Sequence, residues 1–276
     1  MELWQALVLG LVEGITEYLP VSSTGHLLVA QRLMGIPASE AANAYAIVIQ
    51  AGAIAAVLLL YRQRVQSMLR GLAGRDPAGR RLALCLLLAF VPAAIAGLLF
   101  DERIEQHLFG PWPVVAAWAA GGVLLLWIGR GLGGRAGAPL EQLGPRLALL
   151  VGLFQCLALW PGVSRSLATI LGGLVGGLSM VAAVEFSFLL GLLTLGAATA
   201  YKALGSGAAM LADYGPLELA AGFAMAFASA LIAVRWMVAW LSSRGLELFG
   251  WWRLLAALLV AGLLLSGHLS GPPAHG

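Results

Sequence analysis

The chain has 276 residues, 61% of them hydrophobic without counting its 36 glycines, and only 11% charged. Soluble domains carry about 25% charged residues, so a soluble globular enzyme is excluded: there are too few polar side chains to cover its surface. The formal net charge is +3, and the basic residues, all Arg except Lys202, fall mainly in short gaps between apolar runs instead of clustering as a nucleic-acid footprint would.

At about 20 residues per crossing, six stretches read as spanning helices: 44–61, 82–100, 112–129, 183–201, 217–240 and 251–267. Two further regions, 4–35 and 147–179, are apolar but interrupted, by Pro20 and Gly25 in the first and by Pro161-Gly162 in the second. The opening Met1-Glu2, with no basic residue before Arg32, lacks the pattern of a cleavable signal, so the first apolar segment is expected to stay. The loop 62–81 holds Arg62, Arg64, Arg70, Arg75, Arg80 and Arg81 against Asp76 alone, which places it in the cytoplasm. Alternation then puts the acidic 101–105 outside, 130–146 inside, 202–216 outside and 241–253, with Arg244 and Arg253, inside. That order survives only if 4–35 and 147–179 each enter and leave on one side, as re-entrant helical hairpins, the first opening outward and the second inward. Irregular backbone at membrane depth needs protein or a wet cavity around it, so the six spans are expected to surround both hairpins. Cys85 and Cys156 sit in apolar stretches without metal-type spacing and read as packing residues.

Slid against itself by 142 positions, the chain pairs Ala6 with Ala148, Leu7 with Leu149, Gly10 with Gly152, Leu11 with Leu153, Val21 with Val163 and Ser22 with Ser164. Glu13/Gln155, Tyr18/Trp160 and Thr24/Ser166 are conservative pairs, and the two breaker regions coincide without a gap. Three spans lie between the two interrupted regions, so their orientations must be opposite. The expected architecture is one all-α polytopic membrane domain over 1–276, an inverted-topology repeat with copies at about 1–110 and 147–267. Interrupted helices meeting near the midplane are where such proteins bind their ligands.

The first hairpin carries Glu13 and Glu17, i,i+4 on one face. A carboxylate at the centre of a membrane helix costs about 2.5–3.5 kcal/mol and like charges at this spacing repel, so the pair should bind a cation, share a proton or face an arginine. After Pro20 come Ser22, Ser23, Thr24, Gly25 and His26, hydroxyls at an expected helix start, where unpaired N–H groups and the dipole attract anions. Ser23 and His26, i,i+3, have the spacing of a nucleophile and its base. The second hairpin repeats the theme in Pro161-Gly162-Val163-Ser164-Arg165-Ser166. Arg165 is the sole basic residue between Arg146 and Lys202, and arginine pairs with phosphate in planar, bidentate fashion. Placed opposite Ser23 and His26, it completes a receptor for a phosphate group. A phosphate ester reached from the bilayer implies a lipid-tailed substrate; Glu13 and Glu17 could hold Mg²⁺ or Ca²⁺ with help from substrate phosphates. No nucleotide-binding motif is present. Inverted repeats with broken helices also build transporters, so a lipid flippase is the alternative from another class.

In LGLVEGITEYLPVSSTGHLLV (9–29) and FQCLALWPGVSRSLATILGG (154–173), supported by VIQAGAIAAVLLLYR (48–62) and EFSFLLG (185–191), the chain closely resembles the undecaprenyl-diphosphate phosphatase family of the bacitracin-resistance type. The resemblance implies a multi-pass enzyme of the bacterial plasma membrane that removes the terminal phosphate of the C55 isoprenoid diphosphate, recycling the carrier for peptidoglycan synthesis. It implies extracytoplasmic catalysis with a divalent cation, and leaves a homodimer open. The family's catalytic positions fall on Glu13, Glu17, Ser23, His26 and Arg165, with Ser22, Thr24, Gly25, Ser164 and Ser166 as expected substrate contacts. Two positions depart from the family pattern: Leu167 stands where glycine is usual, and Leu193 where proline is usual.

Overall fold

The computed structural model describes residues 1–37, 39–108, 110–132, 137–213 and 215–267. Among these the chain is helical, with no strand longer than an isolated bridge between Ala138 and Leu178. All six stretches expected to span are helical, in α3 (Glu40–Leu60), α5 (Pro77–Leu108), α6 (Pro111–Leu132), α9 (Met180–Asp213), α10 (Pro216–Leu241) and α11 (Glu247–Leu265). Five of them are long and apolar enough to cross a membrane as they stand, and the sixth, α3, bends by 81° into α4 (Arg62–Leu72). This is an all-α, multi-pass membrane protein.

Several stretches expected to be loops are helical. The arginine-rich segment after α3 forms α4, whose Val65 and Met68 pack on the core while Arg62 and Arg70 stay exposed. Its period is that of a helix lying across a boundary rather than through it. Helix α5 runs on to Leu108 through the acidic stretch, and α9 runs on to Asp213; a helix satisfies its own backbone whether wet or dry, so it does not stop where the apolar run does. Leu193, where the family usually has proline, lies within the unbroken α9. Arg135 falls outside the described residues.

Each interrupted region folds as a pair of short helices: α1 (Leu3–Thr16) with α2 (Ser23–Leu33), and α7 (Pro145–Gln155) with α8 (Arg165–Val175), a 3₁₀ turn Cys156–Leu159 following α7. The pairs are docked alike: α1 lies on α10, and α7 on α5. Both contacts run backbone to backbone through a glycine. A Cβ on Gly10 would strike the backbone of Gly222, and one on Gly152 the backbone of Ala89, 3.0 Å from its carbonyl carbon and Cα. Small residues of this kind let membrane helices approach closely enough to gain by packing alone.

The expectation that six spans surround the hairpins needs correcting. The tips are buried, with Glu17, Leu19, Val21, Ser22 and Ser23 in the first and Ser164 and Ser166 in the second. The first helix of each pair turns an apolar face outward, through Leu3, Val8, Leu11 and Ile15 in α1 and Leu149 and Leu153 in α7. Only irregular backbone must be enclosed by protein; an apolar helix flank is satisfied by lipid.

Candidate active site

The same local geometry marks both tips. Ser22 (φ 72°) and Ser164 (φ 77°), 142 positions apart, are the described non-glycine residues with positive φ, and each immediately precedes a helix. Such a conformation costs about 1–3 kcal/mol and persists only where surroundings impose it. Those surroundings are polar and specific. The His26 Nδ1–H donates to the Ser22 carbonyl at 2.7 Å. Arg253, fully buried, reaches both tips at once: Nη1 donates to the carbonyls of Pro20 (3.2 Å) and Val163 (3.1 Å), Nη2 to those of Gly162 (2.8 Å) and Ala117 (2.8 Å), and Nε to Trp118 (3.4 Å). Pro20 and Gly162 are again 142 apart, so one guanidinium ties equivalent carbonyls of the two hairpins. Ser166 adds a further stitch, its hydroxyl donating to the Leu19 carbonyl at 2.8 Å.

Arg253 was read from the sequence as a cytoplasmic loop charge. It lies instead inside α11, six residues after its start, and its role is internal. The available signal was its setting: Gly250-Trp251-Trp252-Arg253-Leu254-Leu255 is apolar on both sides, and an arginine within an apolar run ordinarily faces the protein interior.

With the tips fixed, side chains from both hairpins converge on Glu17. Its Oε2 accepts from the Ser23 hydroxyl at 2.5 Å, and its Oε1 from Arg165 Nη2 at 3.3 Å. Arg165 Nη1 donates to the Ser187 carbonyl at 2.8 Å, and its guanidinium carbon lies 5.3 Å from the centre of the Tyr18 ring. Gly191 makes room for this: a Cβ there would sit 2.6 Å from Arg165 Nη1. The EFSFLLG stretch thus supplies an acceptor at Ser187 and a cradle at Gly191, both on α9. Glu13, one turn before Glu17, is 1% exposed, and neither of its carboxylate oxygens has a hydrogen-bond partner; the Tyr18 hydroxyl and Arg165 Nε are likewise unpartnered. Buried polar groups are rarely left so, and here they flank the one carboxylate that joins the two hairpins.

The structure therefore brings together Glu13, Glu17, Ser23 and Arg165, and gives His26 and Ser23 different hydrogen-bond partners. The His26 ring is engaged at both nitrogens, Nδ1 with Ser22 and Nε2 as acceptor from the Trp252 indole N–H at 3.0 Å, and it lies between Trp118 and Trp252 at centroid distances of 4.6 and 6.1 Å. The partner of Ser23 is a carboxylate. Helical spacing allows the Ser23–His26 pairing, but the imidazole donates instead to the Ser22 carbonyl four residues back. Of the expected substrate contacts, Thr24 is exposed and Ser22 has no side-chain capping bond. Gly25 is packed against Trp118, which a Cβ would meet at 2.6 Å. Ser164 caps α8, accepting from the Leu167 N–H at 3.3 Å, and lies 2.9 Å from the Ser166 hydroxyl. These last three residues are occupied in building the site. Leu167 itself is buried in the main core, its side chain among Ile170, Leu171 and neighbours.

The chain is 47% identical over 262 residues (93% of this chain, 85% of the relative) to an undecaprenyl-diphosphatase of Sorangium cellulosum. It is 43% identical over 266 residues (96% of each) to undecaprenyl-diphosphatase 2 of Rhodospirillum rubrum, and 44% identical over 265 residues (96% and 97%) to undecaprenyl-diphosphatase 1 of Chromobacterium violaceum. The family model described as bacitracin resistance protein BacA matches residues 6–259, nearly the whole chain, and the chain belongs to that family.

Proposed function

We infer that this protein is an undecaprenyl-diphosphatase: it hydrolyses the anhydride of the C55 isoprenoid diphosphate to the monophosphate carrier and phosphate, in support of peptidoglycan synthesis. The observation that carries this reading is Glu17, which accepts hydrogen bonds from a serine of one hairpin and an arginine of the other. A hydroxyl, a carboxylate base and a bidentate cation are the parts that phosphoryl transfer to an enzyme nucleophile requires. Ser23 Oγ attacks the terminal phosphorus while its proton passes to Glu17, and the bond to the bridging oxygen breaks, releasing undecaprenyl phosphate. Water then cleaves the phosphoserine. Arg165 and the first-turn N–H groups of α2, left without a side-chain cap, stabilise the charge on the non-bridging oxygens. His26 serves as a brace, holding Ser22 and through it the start of α2.

A divalent cation, Mg²⁺ or Ca²⁺, fits this donor set. No group of three or more His, Cys, Asp or Glu that could cage a metal occurs among the described residues, but Glu13, with two unpartnered oxygens beside Glu17, would hold a cation that takes its other ligands from substrate phosphates. When bound, it would offset phosphate charge. The two hairpins are the tips of an inverted repeat, and the arginine-rich α4 side faces the cytoplasm of a bacterial plasma membrane, which opens the Ser23 tip to the extracytoplasmic side.

The test is phosphate release from C55 isoprenoid diphosphate by purified protein in detergent, with Mg²⁺ or Ca²⁺ and then with EDTA, beside Arg165→Ala. Cation-dependent release that collapses in the variant is expected. Folded wild-type protein that moves the lipid between leaflets and releases no phosphate would replace this reading with the transport one; none of the relatives named above is described as a transporter.

A further inference from the structure

Beside the first hairpin tip, a groove of about 440 Å³ runs between α1, α10 and α11. Its walls include Leu11 and Ile15 of α1, Ile232 and Trp236 of α10, and Leu248 and Trp252 of α11, all exposed. Its two hydroxyls are spent on their own helices: Thr16 Oγ1 donates to the Val12 carbonyl at 2.7 Å and Ser229 Oγ to the Met225 carbonyl at 2.7 Å. The surface offered is thus hydrocarbon. At its inner end the groove takes in Leu19 and Val21 of the tip itself, and Trp252, one of its walls, donates to His26. The groove thus adjoins the turn of the first hairpin that lies in sequence between Glu17 and Ser23.

In a bilayer any apolar groove is filled by some chain, and no hydrophobic gain distinguishes one hydrocarbon from another. Tethering does distinguish them. A lipid whose diphosphate is held at the hairpin tips presents its nearest carbons at the groove mouth at a high effective concentration, whereas bulk acyl chains compete only from the surrounding lipid. The volume lies within the roughly 300–1,000 Å³ of small-molecule sites, enough for the beginning of a C55 tail and not for all of it.

We propose that the groove between α1, α10 and α11 holds the first isoprene units of the substrate tail, with Trp252 as the wall it shares with the catalytic tip. The inference rests on the lipid-diphosphatase reading. The tail packs against Leu11, Ile15 and Ile232 and leaves the protein past Trp236 and Leu248 into the membrane. Specificity for a long isoprenoid then resides outside the phosphate site, in shape rather than polarity.

The experiment uses a C55 isoprenoid diphosphate analogue with a diazirine in the units nearest the diphosphate, photolysed on full-length protein in nanodiscs, with adducts mapped by peptide sequencing. Adducts concentrated on α1, α10 and α11 are expected. Adducts spread equally over other lipid-facing positions such as Leu98 and Trp127 overturn the proposal. Crosslinking needs no turnover, so it reads the groove even if phosphate release fails. Alongside, Leu11→Trp and Ile232→Trp, which fill the groove, should raise KM for the C55 substrate about tenfold, the equivalent of about 1.4 kcal/mol, with a smaller change in kcat. Leu98→Trp, on the exposed flank of α5, should leave both unchanged. Groove variants with unaltered KM would count against a tail site even if hydrolysis itself is established.

Discussion

Glu17 and Ser23 come from one hairpin and Arg165 from the other, and hydrogen bonds at Glu17 join them. Ser23→Ala should lower kcat by roughly 10³-fold or more, as loss of a nucleophile does; phosphate release that persists near the wild-type rate would transfer the nucleophile's role away from Ser23. Arg165→Lys keeps the charge but cannot serve Glu17 and the Ser187 carbonyl together in one plane, so a loss of about 10²-fold is expected where surface lysine and arginine exchange freely. Arg253 makes a different prediction. Its removal leaves buried carbonyls on both tips without donors, at about 1–3 kcal/mol for each group, so Arg253→Met should lower the thermal midpoint in detergent by several degrees as well as abolish activity. If activity fell while thermal unfolding did not move, Arg253 would be acting on substrate instead of on the tips.

At the scale of elements, the close contact of α1 with α10 is what sets the depth of the first tip. Gly10→Leu would drive a side chain into the Gly222 backbone, so α1 must shift outward and carry Glu13 and Glu17 with it; low activity in protein that still purifies as a monodisperse species is the expected result. Leu167 answers the question its departure from the family pattern raises. Being 2% exposed within the core, it contributes packing, and Leu167→Gly should cost about 2–5 kcal/mol of stability through the cavity left behind with kcat of the folded fraction within about twofold. A large change in kcat at constant stability would place the residue in the substrate pocket. At the start of α5, Asp76 accepts from the Gly79 N–H at 2.9 Å and from the Ser67 hydroxyl at 2.7 Å, which holds its carboxyl below the usual carboxylate range. Because the folded value is depressed, this cap supports the α4–α5 turn above the ordinary carboxylate pKa and is lost as pH falls through the lower folded value. Thermal scans of Asp76→Ala and wild type should therefore differ at neutral pH and converge in strong acid.

For the whole molecule, the proposed orientation rests on charge, with the arginine-rich α4 side in the cytoplasm. A cysteine replacing Arg75 should react with a membrane-impermeant thiol reagent only from the cytoplasmic side, and one replacing the exposed Thr24 only from outside; the reverse pattern would invert the proposed topology and place catalysis in the cytoplasm.

The number of spans, the two interrupted regions and most of the residues around Glu17 were legible in the sequence, because each is written locally. Apolar length reports a crossing, proline and glycine report a break, and a charge inside an apolar run reports a site. Arg253 is the complementary case: its apolar flanks signal a buried charge, but that it serves the carbonyls of Pro20, Gly162 and Val163 is visible only in the fold. The partner of Ser23 is of the same kind: i,i+3 spacing permits His26, and only the folded tip, with Ser22 at positive φ, shows the serine paired with Glu17. Composition and periodicity thus determined the solvent, the helices and the chemistry available. Tertiary structure alone decided which groups meet, because hydrogen bonds between residues 90 to 233 positions apart have no local signature in the chain.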